Sequence, residues 1–100
     1  MRIGHVIGRV TLNQQDPALS GGRFLLVNPV ATEYLNTACQ SPPPISKLPT
    51  IVVYDNMGAG PGDIIGFVEG GEATAAFDFP IPIEALNIAF LDQIHHYPAA

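Results

Sequence analysis

The chain has 100 residues, 47% of them hydrophobic, and a formal net charge of −5 at pH 7. Only 13% of residues are charged, about half of the roughly 25% usual in globular proteins. The cations are Arg2, Arg9, Arg23 and Lys47, too few and too scattered for a nucleic-acid groove or an anionic membrane surface.

A domain of this length buries only about two thirds of the surface that its unfolded chain exposes. With so few charges to cover the remainder, apolar surface is left over, and an oligomer is expected to bury it. No apolar run approaches the roughly 20 residues of a membrane helix. The start, Met1-Arg2-Ile3-Gly4-His5, enters a strand pattern directly, without signal-peptide architecture. The single Cys39 has no partner for an internal disulfide, which agrees with a reducing, cytoplasmic setting.

Residues 2–13 alternate, with Gly4, Val6, Gly8, Val10 and Leu12 on one face and Ile3, His5, Ile7, Arg9 and Thr11 on the other. Period two predicts a strand. Residues 13–22 hold Asp16-Pro17, Ser20 and Gly21-Gly22 and read as a loop. Phe24, Leu25, Leu26 and Val27 form a continuous apolar run, the mark of a strand covered on both faces. In so small a chain a second subunit covers the outer face more easily than the chain's own core does. Residues 30–49 carry Ser41-Pro42-Pro43-Pro44 and Pro49, which exclude helix and central strand. This is a surface excursion, and its triple proline reads as a rigid connector rather than a recognition motif.

A third strand is expected over 50–55 and a fourth over 63–69. Glu69-Gly70-Gly71-Glu72 reads as a turn, 80–86 as a single helical turn opened by Pro82, and 88–94 as the last strand. The prediction is an all-β chain: one domain over 1–100, a small five-stranded OB-like barrel with irregular loops and at most one short helical turn. A small sandwich is the alternative.

The segment between the third and fourth strands, Gly58-Ala59-Gly60-Pro61-Gly62-Asp63, carries the most information. Alternate glycines free the backbone and let another chain come close. The loop lacks the Lys-Ser/Thr ending of a phosphate-binding loop, precedes a strand instead of a helix, and ends on an acid. Its expected partner is a neighbouring subunit, so Gly58, Ala59, Gly60, Pro61, Gly62 and Asp63 are assigned to an interface or ring axis. Phe24, Leu25, Leu26 and Val27 are assigned to an interface or core strand.

No catalytic, cofactor-binding or metal-binding residues are expected. Asp55 and Asp63 flank the glycine loop, but no nucleophile accompanies them, and capping of the turn backbone is the better reading. His5, His95 and His96 lack ligand spacing and read as surface residues. Cys39 has no histidine nearby in sequence and reads as inert. The eight aromatics could stack bases as OB folds do, but basic residues are not interleaved with them. A nucleic-acid or ligand-binding OB module is therefore the second choice, and an enzyme the third.

Several motifs follow one another in order: Met1-x-Ile3-Gly4-x-Val6-x-Gly8, Asp16-Pro17-x-Leu19-x-Gly21, the Phe24 run, and Gly58-Ala59-Gly60-Pro61-Gly62-Asp63. Pro82-Ile83-Glu84-Ala85 and Ile88-Ala89-Phe90-Leu91-Asp92 come last. Over nearly its whole length the chain resembles the pentameric vertex proteins of bacterial microcompartments, found in carboxysome and ethanolamine-utilisation shells. The resemblance implies a structural, non-enzymatic protein without cofactors. It would form a homopentamer, lie in the shell of a cytoplasmic compartment, and neighbour hexameric shell proteins. Two features depart from the family pattern. The 69–74 turn is acidic where the family has a small serine-rich one, and the 36–49 insert is more elaborate than in short members.

Overall fold

The computed structural model describes residues 1–12, 15–39 and 45–97. Five strands form: β1 (Arg2–Val10), β2 (Arg23–Pro29), β3 (Ile51–Asp55), β4 (Ile64–Glu69) and β5 (Ala85–Phe90). They close into a barrel in the order β1-β2-β3-β5-β4, the expected all-β architecture. Every pairing is antiparallel except that of β3 with β5, which meet in parallel at Tyr54 and Leu86. Closure removes the sheet edges on which chains of this hydrophobicity would otherwise pair indiscriminately.

Period two sorts the side chains into two apolar layers. Val6, Leu25, Val27, Val53, Ala59, Ile65, Phe67 and Ala85 fill the barrel. The second layer lies on the opposite face of the wall: Tyr54 follows Val53, Val68 follows Phe67, and Leu86 follows Ala85. These three pack with Leu19, Ala73, Ile81 and Ile83. An edge-to-face aromatic row runs across this layer, with ring centroids 5.4 Å apart for Phe24–Tyr54, 6.1 Å for Tyr54–Phe77 and 5.4 Å for Phe77–Phe79. The Tyr54 hydroxyl donates to the Leu19 carbonyl at 3.2 Å, which satisfies the one polar atom of a ring otherwise placed among apolar groups.

Four expectations need correction. First, β1 does not keep one face throughout. Its pairing with β2 runs Gly4↔Pro29, His5↔Asn28, Val6↔Val27, then skips Ile7 and resumes at Gly8↔Leu26 and Arg9↔Leu25. Directly opposed residues share a face, so this bulge puts Gly8 with outward Leu26 and moves Arg9 onto the face of interior Leu25. A bulge inserts one unpaired residue and shifts the alternation beyond it.

Second, the helical turn is misplaced. The short helix α1 is Gly71–Ala75, where a plain turn was expected. Residues 80–84 are not helical, and Ala85 and Leu86 already belong to β5. Pro80 and Pro82 remove backbone donors and hold the preceding residues extended. Ile81 and Ile83 then both reach the outer layer. The run Glu72-Ala73-Thr74-Ala75-Ala76 holds three of the strongest helix formers, the alanines, and Ala73 is fully buried.

Third, β5 begins and ends earlier than the 88–94 prediction, because Ala85, Leu86 and Asn87 are the residues opposite Glu69, Val68 and Phe67. Fourth, the outer face of the Phe24 run is partly covered by the chain itself. Phe24 packs against the outer layer, while Leu26 remains half-buried opposite exposed Val52.

The loop over 13–22 contains a 3-10 turn at Pro17–Leu19, capped by Asp16, whose Oδ1 accepts from the Ala18 N–H at 2.9 Å. The described parts of the 36–49 insert are pinned at both ends. Ser46 N–H donates to Asn28 Oδ1 at 2.8 Å, and its hydroxyl to the Pro29 carbonyl at 2.6 Å. Asn36 exchanges two hydrogen bonds with the His96 backbone. The triple proline lies outside the described residues.

Candidate functional site

The glycine loop is organised by one carboxylate. Asp55, the last residue of β3, is fully buried. Its Oδ1 accepts from Met57 N–H at 3.1 Å and from Asn87 Nδ2 at 2.8 Å. Its Oδ2 accepts from Gly58 N–H at 2.9 Å and Ala59 N–H at 2.8 Å. Four bonds occupy all the acceptor sites a carboxylate offers. At the far end Asp63 Oδ2 accepts from Gly60 N–H at 2.8 Å. Both acids thus bind turn backbone.

The loop is also stitched to the barrel. Gly62 N–H donates to the Val6 carbonyl and Val6 N–H to the Asp63 carbonyl, each at 2.9 Å, extending the β1–β4 ladder by one pair. Ala59 is fully buried in the interior layer. A segment of six residues is therefore held rigidly from inside, with its outer surface exposed.

The three glycines have different causes. Gly58 and Gly62 have φ of +90° and +95°, a region that side-chain-bearing residues avoid. Gly60 does not have a positive φ, and a Cβ built on it would meet nothing within 4 Å. Neither backbone conformation nor packing within the chain requires glycine at position 60. Exposed apolar side chains flank this network: Met57 is 45% exposed, and Ile88, beside Asn87, is 42% exposed.

The remaining candidates are distributed. Cys39 is half-buried in a turn, with its thiol pKa raised by burial and then by the negative charge of Asp92; a raised pKa means less reactive thiolate. His95 lies on the surface as expected. His5 does not: it is buried in β1 between Asn28 of β2 and Ile64 of β4. Its Nδ1 has no hydrogen-bond partner among the described residues, and burial lowers its pKa. Arg2 reaches Glu69 at 3.1 Å and lies 5.7 Å from the Phe67 ring centroid. Among the described residues no three His, Cys, Asp or Glu side chains are grouped to hold a metal, and no helix is long and apolar enough to cross a membrane.

Sequence reasoning missed Asn87, the side-chain donor that ties β5 to the loop acid. Its signal was a lone amide between Leu86 and Ile88, where a half-buried strand should place an apolar residue inward.

The described residues thus define a small closed five-stranded β-barrel with a carboxylate-clamped glycine loop. The model of the family described as ethanolamine utilisation protein EutN/carboxysome matches residues 1–92, and the chain belongs to this family. No curated protein sequence matches. Solved structures do. The GrpN pentameric microcompartment shell protein from Rhodospirillum rubrum is 28% identical, with 98% of this chain and 100% of that one covered, at a TM-score of 0.71. CcmL of Nostoc sp. is 29% identical, covering 95% and 91%, also at 0.71. The pentameric shell protein of the RMM microcompartment shares the fold, with a TM-score of 0.74 at 24% identity over 99% and 100% of the two chains.

Proposed function

We propose that this protein is a structural component of a bacterial microcompartment shell, assembling into homopentamers that cap the vertices of a polyhedral shell. The observation that carries this reading is family membership over residues 1–92 together with end-to-end similarity to a pentameric shell protein. Heterologous contacts that close after five subunits give a ring rather than a filament. Sheets of hexameric shell proteins, the proposed neighbours, need such fivefold units to curve and close. The shell lies in the cytoplasm, and the role requires no chemistry. In keeping with that, Asp55 is occupied by loop backbone and Asn87, and Asp63 Oδ2 by the Gly60 N–H.

Within the ring, the loop over 58–63 is placed at a subunit contact or beside the axis. Gly60 supports this placement, since its missing side chain has no cause inside the subunit. Half-buried Leu26 and exposed Val52, facing each other across β2 and β3, suit a second lateral contact.

Native mass spectrometry tests the reading: the expected species has five times the 10.6 kDa chain mass. A monomer at micromolar concentration that also fails to join shells when co-expressed with hexameric shell proteins would overturn it.

A further inference from the structure

Two of the chain's four cations share one concavity. Arg9 and Arg23 line a cavity of about 370 Å³ together with Val10, Thr11, Gln15 and Phe24. The β1 bulge brings them together. It opposes Arg9 to Leu25, and Arg23 lies two residues before Leu25 on β2, so the arginines are diagonal neighbours on one face of the sheet. Like charges so placed repel. Among the described residues neither arginine takes part in an ion pair; that of Arg2 with Glu69 is made elsewhere. The acid opposite Arg23 in register is Asp55, whose acceptor sites are all used by the glycine loop and Asn87. In a chain with nine acidic residues, none lines this cleft.

We propose that the Arg9–Arg23 cleft is an oxyanion site, taking a carboxylate or phosphate group between the two guanidinium forks. Each fork offers planar paired donors that match such a group bidentately. The Thr11 hydroxyl and Gln15 amide supply further donors on the same wall. Val10 and Phe24 also line the cleft, and both arginines are solvent-exposed. The cavity lies at the small end of the range for small-molecule sites, enough for a compact anion or one acidic side chain. The anion can be free, as a small phosphorylated or carboxylated solute, or carried by an adjoining protein chain. The free-anion form stands independently of the vertex reading, because the cleft is complete within one subunit; the chain-borne form rests on that reading.

The test uses the full chain, with Arg9→Gln and Arg23→Gln singly and together, each checked for folding by circular dichroism. Phosphate and citrate are titrated at constant ionic strength against chloride while backbone amide resonances are followed. The free-anion form predicts saturable shifts centred on residues 9–12 and 22–24, weakened about tenfold or more by either substitution. The chain-borne form predicts no saturable shifts, but a native mass spectrum in which the double variant loses its assembled species while Lys47→Gln keeps it. Absence of saturable shifts with either anion, together with unchanged assembly in the double variant, overturns the proposal. A failed vertex role is read separately, from the subunit count of the unsubstituted protein.

Discussion

The glycine loop over 58–63 and the strand segment over 24–27 were both singled out as interface material, and the structure builds them by opposite means. The loop has almost no side chains and is shaped by a buried carboxylate that collects three backbone N–H groups and Asn87. The strand has only large side chains and is shaped by bulk: Leu25 and Val27 fill the barrel, while Phe24 joins the outer layer. The loop's outer surface is bare because its order comes from polar groups beneath it. The strand's outer surface is apolar because alternation sends every second large residue outward.

That contrast can be broken first at Asp55. Asp55→Ala leaves three backbone donors and an amide without their acceptor. It should lower stability by about 4 kcal/mol, read as a reduced urea midpoint, and should free the 57–59 amides to exchange. A midpoint unchanged within error would mean that the loop orders itself without the acid.

Leu25→Ala is the matching cut in the strand. Removing a fully buried side chain should cost about 3 kcal/mol by the same measurement. Amide exchange should now rise throughout the barrel rather than in the loop.

Smaller effects separate the glycines. Gly62→Ala forces a side chain into φ +95° and should destabilise the fold by about 1–2 kcal/mol. Gly60→Ala should change urea stability by less than about 0.5 kcal/mol, since neither φ nor space is violated. Gly60→Leu should instead shift native mass spectra from rings toward free subunits. Normal rings from that variant would remove the loop from the proposed contact.

The smallest expected effect is a pH slope from His5. Its folded pKa lies below the ordinary value of about 6.5 because burial disfavours the imidazolium. As pH falls below about 6.5, the unfolded chain takes up a proton that the folded chain refuses, so the contribution to stability present at higher pH is progressively lost until the folded pKa is passed. Urea midpoints measured between about pH 7.5 and about pH 5.5 should fall more steeply for the native chain than for His5→Leu. Equal slopes would show that β1 does not carry the linkage.

Much of the barrel was legible from local pattern. Period two marks the first strand, and the apolar runs over 51–55 and 64–69 mark strands separated by the glycine turn. Low charge pointed to surface in need of a partner, and the order of motifs pointed to the family. The roles of Asp55 and Asp63 as turn acceptors also followed from their flanking positions, because short acidic side chains reach backbone N–H groups a few residues away on either side. The bulge at Ile7 was not legible, since one unpaired residue leaves no mark in composition yet moves Arg9 onto the face of Leu25. The burial of His5 was hidden for the same reason: what covers it comes from β2 and β4.

By itself, then, the sequence determined the local choices, because strand period, turn glycines and proline breaks act within a few residues. Tertiary structure alone decided which strands meet, with β5 set between β3 and β4 so that Asn87 reaches Asp55 across 32 positions of chain. It also decided that two arginines 14 positions apart line one cleft. The physical reason is that these outcomes depend on register, which is set by the closure of the whole barrel and not by any segment alone.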